Sequence, residues 1–242
     1  MTQQPAANEN PPSPSPFTPP RWRSDRRARV VLVGGEKGGT GKTTLATNLC
    51  VMLAKQGRDV LLVDADPQSS ASSWCLFRDE AQVEPRISSV QKLGKGLPFE
   101  LKELANRYDD IIVDAGGRDS VELRGGMSVA DLMISPLQAS SLDIWTLRPL
   151  IDLVAQAEGF NPNLQVKVLI NRAPTNAFSR DAQAAGEVIA DFENLEVFRT
   201  ELHERTSYRR ATGNGRVVDE WDDPKAQAEM KALFEEIFGN GR

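Results

Sequence analysis

Short apolar runs alternate with amphipathic stretches along most of the chain. The segment Arg29–Val33 (RVVLV) is a β-branched run typical of a buried parallel strand. A glycine-rich segment follows it, and the next stretch, TTLATNLCVMLAKQG, carries apolar residues at helical spacing: Leu45, Leu49, Met52 and Leu53. Strands that alternate with helices form a parallel sheet covered by helices on both faces. The pattern therefore predicts an α/β fold.

The same pattern predicts further strands and helices down to the end of the chain. The strands are expected at 59–66, 109–117, 131–136, 164–174 and 194–200. The helices are expected near 98–108, 140–158, 178–192 and 224–238. Because ligands bind at the carboxyl ends of the strands in such sheets, the residues that follow these strands are the candidates for chemistry.

The first 28 residues differ in composition from the rest of the chain. They are rich in Pro, Asn, Gln and Ser and lack an apolar core, so we expect residues 1–28 to be a disordered tail and the folded domain to begin at Arg29. The tail ends in RWRSDRRAR, which is rich in arginine. Two interpretations stay open: a solubilising arm, or a docking arm for phosphates or an acidic partner.

Composition narrows the classes of function. The net charge is −5 over 242 residues, so nucleic-acid binding would have to come from a local basic patch. Cys50 and Cys75 stand alone, without the spacing of a metal site, which is typical of a reduced cytosolic chain. No apolar run approaches the roughly 20 residues of a membrane span, and the N-terminus does not resemble a signal peptide. We expect a cytoplasmic protein without membrane attachment.

The glycine-rich segment Gly34–Thr44, GGEKGGTGKTT, has the chemistry of a phosphate-binding loop. Its glycines allow backbone N–H groups to point at an anion, and the following helix adds its dipole. Lys42 can reach the β- and γ-phosphates, and the Thr43 hydroxyl can bind Mg²⁺. Two features depart from the ordinary motif: Glu36 stands where a glycine is required, and a second lysine, Lys37, precedes the usual one.

Carboxylates follow two of the predicted strands. Asp64 and Asp66 end the strand at 59–66, and Asp114 lies in the strand at 109–117. Since Mg²⁺ prefers oxygen ligands and keeps several waters, Asp114 is expected to hold one of those waters. Simpler interpretations are a strand-end cap for Asp114 and turn chemistry before Pro67 for the pair.

The segment KGGTGKTT resembles the signature of the deviant Walker A ATPases, the ParA/MinD superfamily. LLVDADPQ resembles the second motif of that family and IIVDAGG its Walker B, and the resemblance covers about residues 29–238. It implies a single P-loop NTPase domain at 29–242, with a mostly parallel sheet flanked by helices, that uses ATP and Mg²⁺ and forms a homodimer in the ATP state. In that family the early lysine reaches the phosphates of the other subunit, as an arginine finger does.

The resemblance also implies a role for each candidate residue. Lys42 serves the nucleotide of its own subunit and Lys37 that of the partner, while Asp66 positions the attacking water and Asp64 supports the Mg²⁺ shell together with Thr43 and Asp114. The implied nucleotide-binding residues are Gly38, Gly39, Thr40, Gly41, Lys42, Thr43, Thr44, Gly117 and Asn171. Asn171 lies in NRAP, which is similar to the base-binding segment of the family; a plain loop asparagine is the alternative.

Several branches of the superfamily do not fit. Iron proteins need cluster cysteines, which are missing here, and the tyrosine kinases carry a tyrosine-rich tail, whereas this chain has only Tyr108 and Tyr208. MinD-like ATPases end in a basic amphipathic helix. The last predicted helix has an apolar stripe, but its polar face carries Glu229, Glu235 and Glu236, which anionic lipid would repel. We expect this helix to dock on the core.

The remaining branch is the ParA type, which binds DNA without reading its sequence. HERTSYRRATGNGR supplies a basic cluster, Arg205, Arg209, Arg210 and Arg216, which could otherwise be a solvated helix face. AGGRDSVELRGGMSVAD looks like the switch segment of short ParA proteins, and residues 1–28 are too short and proline-rich to form a DNA-reading domain.

The sequence thus predicts a dimerising, nonspecifically DNA-binding ATPase associated with the nucleoid. It would partition a plasmid or position another cargo, with hydrolysis stimulated by a ParB-like centromere-binding protein or an adaptor. One alternative is a positioner of a protein compartment or chemotaxis cluster. A second alternative is a metabolic P-loop ligase of the dethiobiotin or cobyrinate type.

Overall fold

A computed structural model describes residues 27–35, 37–138, 144–175 and 196–239, with side chains for all of these except 144–146. Eight strands lie in this part of the chain: β1 Arg29–Gly35, β2 Val60–Ala65, β3 Ser88–Gln91, β4 Asp110–Gly117, β5 Leu132–Gln138, β6 Gln165–Ala173, β7 Glu196–Val197 and β8 Leu202–His203. Its α-helices are α1 Lys42–Lys55, α2 Ser70–Glu80, α3 Leu97–Leu104, α4 Val121–Met127, α5 Ile144–Glu158, α6 Thr206–Thr212 and α7 Pro224–Phe238. A 3₁₀ turn spans Val218–Glu220.

The described strands form one sheet in the order β3-β2-β4-β1-β5-β6-β7, with β8 also paired to β6. Every pair is parallel. The chain moves outward from β1 to β2 and β3, returns to place β4 between β2 and β1, and then crosses to β5 on the other side of β1. β1 and β4 are therefore neighbours, and the loops that follow them diverge from adjacent strand ends. Open α/β sheets bind their ligands at such a point.

Alternating residues of the strands pack into two separate apolar cores, one on each face of the sheet. On β1, Val30 and Leu32 face the core under α3, α4 and α5, while Val31 and Val33 face the core under α1, α2 and α7. All four valine and leucine side chains are fully buried. This two-sided burial explains why the strands are continuous apolar runs. The predicted α/β class, with a parallel sheet flanked by helices, is confirmed.

Some predicted elements differ from the structure in extent. The expected strand 194–200 is the two-residue β7, and the expected helix 140–158 is observed over α5. The expected helix 178–192 and tail residues 1–26 lie outside the described residues. The short elements α2, β3, α4, α6 and β8 were not predicted. They are polar, brief or rich in glycine, so their sequences lack the periodicity on which the prediction relies.

The described domain begins before the predicted boundary at Arg29. Ala28 is 2% exposed, and its N–H donates to Ala105 O at 2.7 Å. Arg27 pairs with Asp131 at 2.5 Å. These two residues, which the sequence analysis placed in the tail, thus pack against the domain.

The last helix packs on the core, as its charge pattern predicted. Its apolar stripe is buried in the core under α1 and α2 and consists of Ala226, Met230, Leu233, Phe234 and Ile237. The acidic face is also used, since Glu236 accepts hydrogen bonds from the N–H groups of Arg199 and Thr200 at 2.8 and 3.0 Å. The prediction of a core-docking helix is confirmed.

A buried ion pair joins α2 to the 3₁₀ turn. The Arg78 guanidinium is fully buried and donates to both carboxylate oxygens of Glu220 at 2.8 Å. It also donates to the carbonyls of Pro85 and Gly215 and lies over the Trp74 ring. Because the partners satisfy one another in a site from which water is excluded, removing one of them leaves an uncompensated charge.

We expect Arg78→Met to lower the free energy of unfolding by about 3–5 kcal/mol, because Glu220 would stay buried without its main partner. Urea denaturation measures the loss. The matched control is Arg86→Met, which breaks the exposed pair with Asp79 (side chains 77% and 37% exposed) and should cost less than about 1 kcal/mol. Equal losses for the two variants would contradict the assigned role of the buried pair.

Candidate functional site

The loop between β1 and α1 has the backbone of an anion cradle. Gly39 and Gly41 adopt φ of 74° and 94°, which side chains rarely tolerate. The helix begins at Lys42, no side chain caps its first turn, and no acidic residue lies there. Its first N–H groups and its dipole are therefore available to a phosphate.

Lys42 lies inside this cradle. It is 7% exposed, and its Nζ donates to Lys37 O at 2.8 Å. Burial lowers the pKa of the ammonium below its ordinary value, and the nearby carboxylates of Asp114 and Asp66 oppose that shift. The lysine is thus a desolvated cation whose field a phosphate would feel strongly.

Thr43 and Asp114 meet below the cradle. Thr43 Oγ1 donates to Asp114 Oδ2 at 2.6 Å, and Asp114 is 1% exposed. Burial raises the pKa of Asp114 to about 7, and the bond from Thr43 and the charge of Lys42 pull it partly back. Both groups supply oxygen atoms, whose chemistry suits Mg²⁺, and their role as magnesium ligands stays a prediction.

Asp64 holds the segment that carries Asp66. Its Oδ1 accepts the N–H of Asp66 at 3.1 Å and its Oδ2 that of Ser72 at 2.7 Å. Its two oxygens thus bind the backbone of the turn after β2 and of the first turn of α2, and the residue is fully buried. Asp66 is half-buried and accepts the N–H of Gln68 at 2.9 Å. In this arrangement Asp64 positions Asp66.

Gly117, at the end of β4, touches the phosphate loop directly. A Cβ there would lie 2.8 Å from Gly38 N and 2.9 Å from the Lys37 carbonyl carbon and oxygen. These are backbone atoms, so the loop would have to move to make room. The glycine at this position lets the end of β4 support the cradle from the side.

Asn171 holds the opposite flank of the loop. Its Nδ2 donates to Thr40 O at 2.6 Å, and its Oδ1 accepts the N–H of Arg172 at 3.0 Å. Thr40 itself is 2% exposed. The predicted base-binding asparagine therefore already supports the loop in this structure.

The loop, the Asp66 turn and the end of β4 surround one open cleft of about 770 Å³. The cleft is lined by Gly38, Gly39, Gly41, Lys42, Thr43, Thr44, Asp66, Pro67, Gln68, Ser70, Gly116, Gly117, Arg118, Ser120, Glu122 and Arg172. Most of the predicted nucleotide-site residues and Asp66 thus line one cleft, whereas Thr40 and Asn171 lie outside its lining. Lys37 lies at the exposed tip of the loop, outside this lining.

The sequence analysis did not identify two arginines that line the cleft. Arg118 follows Gly117, and Arg172 follows Asn171. Both have positive φ, 154° and 55°, which is uncommon for residues with a side chain and recurs at functional sites. The sequence feature that could have identified them is that each directly follows a candidate site residue.

The four arginines of the basic cluster differ in whether they form an ion pair within the chain. Arg205 donates through Nε and Nη2 to the Glu229 carboxylate, which raises the pKa of the guanidinium, so its charge is compensated within the chain. Arg209, Arg210 and Arg216 are exposed. Among the described residues no ion pair engages these three side chains.

None of the described helices has the length and apolar character that a membrane crossing requires.

We expect Gly117→Ala to weaken nucleotide binding by at least about tenfold, because the new Cβ would push the loop backbone that holds Lys42. Titration with a fluorescent adenine nucleotide measures the affinity. Gly96→Ala is the control, since nothing lies within 4 Å of a Cβ there. Unchanged affinity in Gly117→Ala would show that the loop does not depend on this contact.

Two proteins that are similar in sequence align with more than two thirds of this chain. Maintenance of carboxysome distribution protein A of Halothiobacillus neapolitanus is 29% identical over 194 residues, 79% of this chain and 87% of that protein. Chromosome partitioning protein ParA of Caulobacter vibrioides is 26% identical over 204 residues, 68% of this chain and 76% of that protein.

A solved structure shares the fold. Cobyrinic acid a,c-diamide synthase from Mycobacterium smegmatis, solved with a bound ATP analogue and magnesium, superposes with a TM-score of 0.69 at 21% identity, covering 89% of this chain and 97% of that one. The model of the CobQ/CobB/MinD/ParA nucleotide binding domain matches residues 31–218, well over half of the chain. The chain therefore belongs to the CobQ/CobB/MinD/ParA family of nucleotide-binding domains and is a ParA/MinD-type ATPase by fold.

Proposed function

We propose that this chain hydrolyses ATP with Mg²⁺, dimerises in the ATP state and binds DNA without sequence preference, and that it thereby partitions a plasmid or positions another cargo over the nucleoid. The observation that carries the proposal is the cleft in which the phosphate loop, Asp66 and the buried pair Thr43–Asp114 meet. These groups are those that phosphoryl transfer needs: a phosphate cradle, a metal-binding oxygen set and a carboxylate facing the cleft.

Thr43 and Asp114 would hold the magnesium ion. The two oxygens lie 2.6 Å apart at the base of the cleft. Few protein ligands are needed, because Mg²⁺ keeps several waters and binds phosphate oxygens. The ion supplies charge neutralisation on the phosphates. Asp64, with both oxygens bound to backbone N–H groups, supports this set through Asp66 and α2.

The two lysines take different roles. Lys42 is buried in the cradle and serves the phosphates of its own chain. Lys37 is exposed at the tip of the loop, which suits a reach into the cleft of a second copy. A cation added there would stabilise the charge that gathers on the terminal phosphate during transfer.

Asp66 is the proposed acceptor for the attacking water. Its carboxylate lies beside Gly116: a Cβ on that glycine would be 3.2 Å from the Asp66 Cγ. The N–H of Asp66 donates to Asp64 Oδ1 and its own Oδ1 accepts the N–H of Gln68, so both the backbone and the carboxylate of Asp66 are held. An oriented carboxylate next to the terminal phosphate is the usual device for positioning the nucleophile.

Asn171 marks the proposed base subsite. A smaller cleft begins at Gly41 and Thr44 and continues past Asn171 to Tyr208 and Arg209. In the nucleotide complex, the amide could exchange its bond with Thr40 O for one with the adenine, since it has both a donor and an acceptor. The same cleft connects the nucleotide site with α6, which carries part of the basic cluster.

Arg209, Arg210 and Arg216 form the proposed DNA surface. They are exposed and free of ion pairs within the described chain, whereas Arg205 belongs to the pair with Glu229. Phosphate contacts of this kind are weak singly and carry no sequence information. Because the net charge is −5, a single small patch should bind poorly, and two patches in a dimer should bind better. The arginine-rich end of the tail is an additional candidate contact.

Two relatives favour a positioning role over a metabolic one. One is named for the distribution of carboxysomes and the other for chromosome partitioning. By analogy we propose that a ParB-like or adaptor protein stimulates hydrolysis here and that the cargo is a DNA molecule or a protein compartment. The competing function is that of a P-loop ligase. The fold that the chain shares with a cobyrinic acid a,c-diamide synthase is compatible with it.

The lysine assignment predicts different losses for the two variants. Lys42→Ala should abolish nucleotide binding, whereas Lys37→Ala should retain binding but lose hydrolysis by at least about 100-fold and also lose ATP-dependent dimerisation. Nucleotide titration, phosphate release and light scattering measure the three properties. Lys102→Ala, on the exposed side of α3, is the control. Normal hydrolysis by the Lys37 variant would overturn its proposed role across the dimer.

The DNA assignment predicts that changing Arg210 and Arg216 together to Glu removes binding to two unrelated duplexes equally and leaves basal ATP turnover near the wild-type value, because both are exposed and neither lines the nucleotide cleft or the base subsite. Binding should require ATP and should weaken steeply with salt, because each phosphate contact releases counterions. The control replaces Arg86 and Arg107 with Glu, which makes the same change in net charge on other exposed surfaces.

The same binding measurement separates the candidate functions. It is made with ATP, with ADP and without nucleotide, at two salt concentrations. Strong preference for one duplex, or equal affinity in all nucleotide states, would contradict the nonspecific ATP-dependent clamp. Absence of DNA binding in every state would favour the ligase function.

A further inference from the structure

Arg118 is a cation of the cleft that the proposed roles above leave unused. It lies between β4 and α4, is exposed, and lines the same cleft as Lys42, Asp66 and Gly38. Within the described part of the chain, no hydrogen bond or ion pair engages its guanidinium. An arginine that borders a phosphate cradle without a partner has its full donor set available to an anion.

The chain fixes the backbone on both sides of this residue. Before it, Gly117 lies against the backbone of the phosphate loop. After it, the Asp119 carboxylate accepts two hydrogen bonds from Arg124, each of 2.6 Å, and Ser120 Oγ accepts the N–H of Leu123 at the start of α4. Arg118 itself has φ of 154°, a conformation that costs energy and persists only where its surroundings impose it.

The position of Arg118 indicates which phosphate of a nucleotide it could reach. It follows Gly116 and Gly117, and Gly116 lies beside the Asp66 carboxylate. This is the side of the cleft on which the water would attack the terminal phosphate. Arg172, the other arginine of the cleft, lies at the opposite flank, where it follows Asn171 and has its Nε 3.5 Å from Glu204. The two arginines would thus border different ends of a nucleotide held in the cleft.

We propose that Arg118 binds the γ-phosphate of the nucleotide held by its own chain. A planar guanidinium can form two parallel hydrogen bonds to phosphate oxygens, which a lysine cannot do. The contact would be present with ATP and absent with ADP, so Arg118 would make the affinity of the cleft depend on the terminal phosphate. Because that contact ends when the γ-phosphate leaves, β4 and α4 would respond to hydrolysis through one side chain. The inference rests on the proposed function in taking ATP as the ligand and in placing its γ-phosphate beside Asp66.

The test compares two ligands rather than rates. Affinities for ADP and for a nonhydrolysable ATP analogue, each with Mg²⁺, are measured for the wild-type chain, Arg118→Ala and Arg118→Lys, at concentrations where light scattering shows monomers. We expect Arg118→Ala to weaken binding of the analogue by at least about tenfold and to change ADP affinity less than twofold. Arg118→Lys should recover part of the loss. Arg107→Ala changes an exposed arginine in the turn between α3 and β4; it is the matched control and should change neither affinity.

The other outcomes overturn the inference in different ways. Equal losses for both ligands would place the contact at the inner phosphates or the base, and no loss would remove it. A loss that appears only at concentrations where dimers form would mean that Arg118 acts on the partner's nucleotide. A wild-type chain that binds the analogue but does not hydrolyse ATP would contradict the proposed ATPase function. The Arg118 contact would still be supported if Arg118→Ala weakens binding of the analogue alone.

Discussion

The arrangement of the site depends on one close backbone contact, the approach of the end of β4 to the phosphate loop at Gly117. That contact is possible because β1 and β4 are neighbours in register, so their carboxyl ends lie side by side. It brings Asp114 under Thr43 and Gly116 beside Asp66. The Thr43–Asp114 pair and the loop are thus set by β1 and β4, while β2, the other neighbour of β4, carries the turn with Asp66.

A second layer of polar contacts holds the elements that surround this pair. Asp64 fixes the start of α2, and the Arg78–Glu220 pair fixes its end to the turn before α7. Asn171 connects β6 to the loop. Each of these groups is buried or half-buried and hydrogen-bonded, which keeps the cleft in shape in the absence of a ligand. Rigid support of this kind is what a site needs when its chemistry consists mainly of positioning and charge.

The sequence predicted the central strands and the loop well, because buried parallel strands are continuous apolar runs and glycines at fixed spacing mark the cradle. It did not predict α4, where two glycines interrupt the helical pattern: a Cβ at Gly126 would lie 2.8 Å from Leu32. It also could not separate Arg205 from its neighbours, since its partner Glu229 is distant in sequence. The formation of α4 and the pairing of Arg205 both depend on contacts between residues that are distant in sequence. A local sequence pattern does not contain that information.

The strand order also bears on when the nucleotide site can form during synthesis. β1 carries the phosphate loop, but its partners in the sheet are β4 and β5, which are made much later than β2. Arg29, at the start of β1, donates to Ile237 O and lies over the Phe238 ring in the last helix. A nascent chain that emerges from the ribosome therefore exposes an unpaired apolar strand until β4 arrives, and that strand gains its contact with α7 only after release of nearly the whole domain.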